Sequence, residues 1–177
     1  MRSIFKSIQM VKEKLDSTIQ KQLFSADSEK TILGLKAIKE RGNKMYLPML
    51  FDLLLSEPEE NVKHEILKLL GSVKKKDAVP IFIAALKNEK YRPLRKKLLT
   101  ACWQNGLDFT DHLPLFVDCI IEEEWATGFE AFTVVENMKS YPNQEIVHET
   151  SSKINRSLPH CNDKKTYFLQ EILHMIR

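Results

Sequence analysis

The residues able to do chemistry in this 177-residue chain are few and scattered. Histidines stand at 64, 112, 148, 160 and 174, and cysteines at 102, 119 and 161. None of them makes a Cys-x-x-Cys, a His-x-x-x-His or a His-Glu-x-x-His, the spacings that place zinc ligands on one loop or one helix face. His160-Cys161 is an adjacent pair, but it reads as part of a loop. Glu122-Glu123-Glu124 offers carboxylates for a cation or a general base, and reads more simply as a solvated helix end. There is no glycine-rich phosphate loop and no Gly-x-Ser-x-Gly elbow. The sequence therefore assigns no catalytic residue, no metal ligand and no cofactor, and points away from an enzyme.

The remaining chemistry is charge. The net charge is only +3, but it is laid out in blocks. Residues 74–97 hold nine basic groups against Asp77 and Glu89, whereas residues 107–150 hold ten acidic groups against Lys139 alone. The basic block itself divides into Lys74-Lys75-Lys76 and a second cluster of Lys87, Lys90, Arg92, Arg95, Lys96 and Lys97 around Tyr91. If a helix of about a dozen residues lies between them, the clusters sit roughly 18 Å apart at 1.5 Å per residue and line opposite edges. The second cluster is then the better place to meet an anionic partner.

The elements that would position these groups repeat. Apolar residues at i, i+4, i+5, i+7 and i+8 mark one face of a helix. Val62, Ile66, Leu67, Leu69 and Leu70 fill those slots, and so do Leu94, Leu98, Leu99, Ala101 and Cys102. Thr127, Ala131, Phe132, Val134 and Val135 fill them again, while Lys30, Gly34, Leu35, Ala37 and Ile38 form a degraded earlier copy. Turns follow at Gly42-Asn43, Gly71-Ser72 and Asn105-Gly106, where glycine or asparagine suits a left-handed helix cap. Second helices then start near Leu47-Pro48, Val79-Pro80 and Leu113-Pro114, with a more polar fourth near 142–154. In two of them an aspartate precedes the proline, so Asp77 with Pro80 and Asp111 with Pro114 read as N-cap and first-turn proline. Met45 stands at the corresponding place in the first unit. Two helices per unit of 32 to 34 residues describe an α-solenoid, and the five glycines and lack of alternating strands leave no sheet.

Residues 60–99, ENVKHEILKLLGSVKKKDAVPIFIAALKNEKYRPLRKKLL, resemble a HEAT repeat of the short, phycobilisome-lyase-like kind. Val62-Lys63 opens the first helix, Leu70-Gly71 closes it, and Asp77 with Pro80 opens the second; Leu94-Arg95 repeats the opening pair. The resemblance covers roughly residues 28–139 and implies a right-handed all-α solenoid of about four HEAT-like helical hairpins. The chain then reads as one repeat domain over 1–177. Residues 1–24 would form an amphipathic N-terminal cap, 28–156 four helical pairs, and 163–177 a C-terminal cap. In the first cap Ile4, Ile8, Val11, Leu15, Ile19 and Leu23 form a stripe; dimerisation or a basic surface helix are its other readings. In the last, Asp163 would cap a helix burying Phe168, Ile172 and Ile176.

No run of about 18 apolar residues exists to span a membrane. Lysines interrupt the N-terminal stretch, unlike a signal peptide. Three widely spaced cysteines suit a reducing cytoplasm, and the repeat style suggests a bacterial source. The first functional reading is a non-catalytic scaffold or adaptor that grips a helix or peptide of another protein. Its contacts would be Asp52, Asp118 and Glu122 on the face of the second helices, with Lys90, Arg92, Arg95, Lys96 and Lys97 as a second edge. The alternative is a nucleic-acid-binding protein resembling the alkylpurine DNA glycosylases, which hold duplex DNA against a basic concave face. Lysines outnumber arginines 21 to 6, no glycosylase motif is present, and Trp103 follows an apolar slot rather than a surface position.

Overall fold

The computed structural model describes residues 15–41 and 44–177, so Ile4, Ile8, Val11 and the Gly42-Asn43 turn lie outside the described residues. Among those described there are ten α-helices and no strand: α1 (Ser17–Leu23), α2 (Ser28–Arg41), α3 (Leu47–Leu55), α4 (Glu60–Gly71), α5 (Val79–Lys87), α6 (Arg95–Asn105), α7 (Leu113–Glu122), α8 (Trp125–Glu136), α9 (Gln144–Ser157) and α10 (Asp163–Met175). Taken in chain order, α2 and α3, α4 and α5, α6 and α7, and α8 and α9 are four successive couples, here called pairs, and close packing also runs from each to the next, α3 on α4, α5 on α6 and α7 on α8. The first helices stack in a row, α2 on α4, α4 on α6, α6 on α8 and α8 on α10, while α3 packs on α5 and α7 on α9. No helix among the described residues is long and apolar enough to cross a membrane.

The repeat slots face the shared core. Leu94, Leu98, Leu99, Ala101 and Cys102 are all buried, and so are Ala131, Phe132, Val134 and Val135 with Thr127. Val62, Ile66 and Leu70 are buried, with Leu67 and Leu69 half-buried at the edge. The degraded first copy has a steric cause. A Cβ on Gly34 would lie 3.1 Å from Cβ of Gln22 and 3.3 Å from the backbone nitrogen of Leu23, because α1 crosses α2 there. The side chain that the other units carry in this slot, Ile66, Leu98 or Ala131, is replaced by the body of α1, whose Ile19 and Leu23 are buried instead.

Rings connect the second helices. Phe51 of α3 meets Phe82 of α5 edge to face at 5.7 Å, Phe82 meets Phe109 at 6.4 Å, and Phe109 meets Phe116 of α7 at 5.8 Å. Tyr91 adds a further edge contact on Phe51 at 5.8 Å. The four phenylalanines are almost fully buried, so the seam carries both apolar burial and favourable ring geometry across the pair boundaries.

The proposed aspartate caps are not formed. Before α5 a single 3-10 turn, Lys76–Ala78, carries Asp77 inside it, and before α7 a second, Thr110–His112, carries Asp111. Neither carboxylate takes a capping hydrogen bond. The 3-10 turn feeds straight into the helix, and its own i to i+3 bonds occupy the amides a cap would satisfy: Val79 N–H donates to the Lys76 carbonyl and Leu113 N–H to that of Thr110. Pro80 and Pro114 sit at the second residue of their helices, where no intrahelical acceptor is lost. The first pair uses the same device, Lys44–Tyr46 ahead of Leu47-Pro48, with no aspartate at all.

Other helix ends also differ from expectation. The C-terminal helix is capped by Asn162, which accepts from Lys165 N–H, and Asp163 is its first residue. Gly106 does take the left-handed conformation, with φ of 63°. Gly71 does not; a Cβ there would approach Oε1 of Gln104 to 2.7 Å, so what it allows is close packing of α6.

The aromatic seam generates a direct expectation. Replacing Phe82 by alanine removes the ring shared between two neighbours and should destabilise the fold by about 3–5 kcal/mol. Urea unfolding followed by circular dichroism measures it, and a loss near that of an exposed substitution would show that the seam is not what joins the pairs.

Candidate partner-binding surface

The second basic cluster lies where α5 ends, in a 3-10 segment running Glu89–Leu94 that Asn88 caps by accepting from Lys90 N–H. The turn is tight, and Tyr91 and Leu94 plug it into the core. Its cations consequently reach sideways to neighbouring pairs. Nζ of Lys90 lies 2.6 Å from Oδ1 of Asp52 on α3, and the Tyr91 hydroxyl donates to the same oxygen at 2.6 Å. Burial pushes the Asp52 carboxyl up, but donation from Lys90 and Tyr91 outweighs it and leaves the carboxyl below its usual range. Burial and the hydrogen bond to Asp52 both raise the Tyr91 phenol.

Arg95 is the centre of this edge, and it is not a surface contact. It is 8% exposed at the first residue of α6. Its Nε donates to the Leu86 carbonyl at 3.2 Å, one terminal nitrogen donates to Glu89 at 2.7 Å, and the other donates to Glu123 in the turn before α8. Burial alone would lower the guanidinium; its hydrogen bonds to Glu123 and Glu89 outweigh this and raise it. Arg92 joins the same carboxylates, 3.4 Å from Glu123 and 3.7 Å from Glu89. Glu123 is therefore a half-buried partner rather than part of a solvated helix end. Its pairing spans 28 residues, so neither composition nor helical spacing marked it.

The acidic candidates divide in the same way. Both oxygens of Asp118 on α7 accept from Nζ of Lys153 on α9 at 2.6 Å. Glu122 and Lys96 remain exposed, and Lys97 is half-exposed. Asp52, Asp118, Lys90, Arg92 and Arg95 thus link successive pairs, and they do not converge on one patch.

The opposite edge, formed by the turns inside each pair, is stitched too. Lys44 pairs with Asp77 at 2.7 Å, Lys74 donates to the Asn105 carbonyl at 2.7 Å, and Lys139 to the Gly106 carbonyl at 2.6 Å. The two lysine clusters stand at the two ends of α5, on different edges. Between the first two pairs this edge opens into a crevice of about 330 Å³, lined by Ile38, Leu47, Leu69 and Val73 with Lys39, Lys44, Lys74 and Lys75 around it.

The former candidates for chemistry stay apart. Among the described residues no three His, Cys, Asp or Glu side chains are gathered as a metal would require. Burial lowers His112, with Lys87 adding to the effect. Trp103 is half-buried and donates to Glu130 at 2.8 Å, whereas Trp125 is 46% exposed and stacks on Phe129.

Short helices stacked in a row, each packed chiefly on those nearest in sequence, define an α-solenoid. A family profile described as HEAT repeats matches residues 19–103, from α1 through most of α6, and supports a HEAT-repeat family; the later helices continue the same all-α array. No curated protein matches the sequence. HEAT repeats generally serve as scaffolds for protein interaction.

Two outcomes follow from the side-chain geometry. Glu123→Ala leaves the buried Arg95 guanidinium without its main partner and should cost about 3 kcal/mol, against less than about 1 kcal/mol for Lys90→Ala at the exposed pair with Asp52. Denaturant melts of the two variants rank them. For the thiols, burial pushes Cys119 up to about 12 and Cys102 higher still, so both stay protonated and inert. Maleimide applied to the native protein should label the half-exposed Cys161 alone, read by peptide mass spectrometry.

Proposed function

We propose that this protein is a non-catalytic scaffold or adaptor that binds a helix or extended segment of another protein along the stacked pairs. One observation supports this reading above the nucleic-acid alternative. Lys90, Arg92 and Arg95, the cations a phosphate backbone would need on the second edge, are already paired with Asp52, Glu89 and Glu123. Binding DNA there would require breaking those links and leaving carboxylates beside the phosphates. In this reading the exposed Glu122 and Lys96 and the half-exposed Lys97 are the proposed protein contacts. A rim of mixed charge suits a protein surface, where it sets register and association rate more than affinity.

Capture on the immobilised full-length chain from a lysate treated with nuclease should return a defined protein, and its yield should fall with added salt. Duplex DNA should give no shifted band in a low-salt gel. A shift with a steep salt dependence, together with loss of all captured protein after nuclease treatment, would reverse the reading.

A further inference from the structure

The crevice between the first two pairs combines two features, an apolar floor and a charged rim. Its floor is aliphatic: Ile38 from the end of α2 and Leu47 from the start of α3 lie with Leu69 from the end of α4 and Val73 from the turn after it. Its rim is cationic. Lys44 and Lys74 are held by Asp77 and by the Asn105 carbonyl, which keeps their ammonium groups in place at the mouth. The side chains of Lys39 and Lys75 are exposed and make no ion pair or hydrogen bond among the described residues.

This composition selects its occupant by chemistry. A single-stranded nucleic acid would need rings to stack its bases, and the floor has none. A free acyl chain needs enclosure to leave water, whereas this cavity of about 330 Å³ is open along one side. An open notch instead admits a side chain projecting from a main chain that stays outside, and the lysines then face the residues flanking it. Resting on the scaffold reading above, we propose that the crevice is a docking notch for a protein segment that presents one or two large apolar side chains flanked by Asp or Glu. The apolar side chain fills the space between Leu47, Leu69 and Val73, and the flanking carboxylates meet Lys39 and Lys75.

The test uses the full chain and a synthetic labelled peptide with Leu and Phe on one helical face and Glu on both sides of them. A sister peptide carries Lys in place of every Glu. In fluorescence anisotropy the acidic peptide should bind saturably. Val73→Asp or Lys75→Glu should weaken it by about tenfold or more, while Lys87→Glu, the same charge change at the far end of α5, should leave it within about twofold. Circular dichroism melts establish that each variant folds. Equal binding of the basic peptide, or equal loss from Lys87→Glu, overturns the proposal in favour of unspecific charge attraction. Displacement of the peptide by duplex DNA overturns it in favour of a phosphate site. A dimer that Lys75→Glu turns into a monomer, seen by sedimentation equilibrium, gives the notch to a second copy and also overturns it. If the acidic peptide does not bind but the captured protein is still lost with Lys96→Glu, the notch is refuted and the scaffold reading stands. If the acidic peptide does not bind and no protein is captured by the unaltered chain, both readings are refuted.

Discussion

Two short helices cannot enclose a core, and every pair in this chain depends on its neighbour to cover the face it leaves bare. The contact that meets this requirement most fully is the line of rings from Phe51 through Phe82 and Phe109 to Phe116, which crosses the pair boundaries at centroid distances of 5.7 to 6.4 Å. The stacking of first helices, the placement of turns and the sideways reach of surface charges all follow from holding those rings in register. The ends of the array show the same need. At one end α1 closes over Gly34, and at the other α10 packs on α7, α8 and α9 and buries Phe168, Leu169 and Ile172.

Charge has a different task from the one its clustering suggests. A run of cations in sequence becomes a patch only if its side chains point into one region. Here the tight 3-10 segment at Glu89–Leu94 turns successive cations toward different elements, Lys90 back to α3 and Arg95 forward to the turn before α8. The acidic block downstream supplies Glu123 and Asp118 for the same purpose, so opposite charges far apart in sequence are adjacent in space. The alternating blocks are thus partly a record of which pair lies beside which.

The architecture was legible because helical periodicity and repeated punctuation are local. Leu47, Val79 and Leu113 begin the second helices where their following prolines place them, and the core slots of α6 and α8 are buried. What failed was finer chemistry. Asp77 and Asp111 have the residue type of caps, but the 3-10 turns around them remove the free amides that a cap would serve. Met45 in the same setting shows that the proline and turn suffice without a carboxylate. Arg95 looked like one cation among six, and only the return of the chain 28 residues later, at Glu123, makes it a buried clamp. The crevice was equally hidden, since its floor is assembled from α2, α3 and α4 and none of its residues is unusual alone.

The polar links along both edges join neighbouring pairs, and that has a mechanical meaning. Tension applied at the two ends would pass through the boundaries in series, so extension begins where the links are most solvated. The side chains that join Asp52 with Lys90 and Lys44 with Asp77 are 32–54% exposed, whereas those of Arg95 and Glu123 are 10% and 13% exposed. The array is therefore graded, compliant toward its first pairs and stiff toward its third, and a pulled chain would yield from its amino-terminal side one boundary at a time.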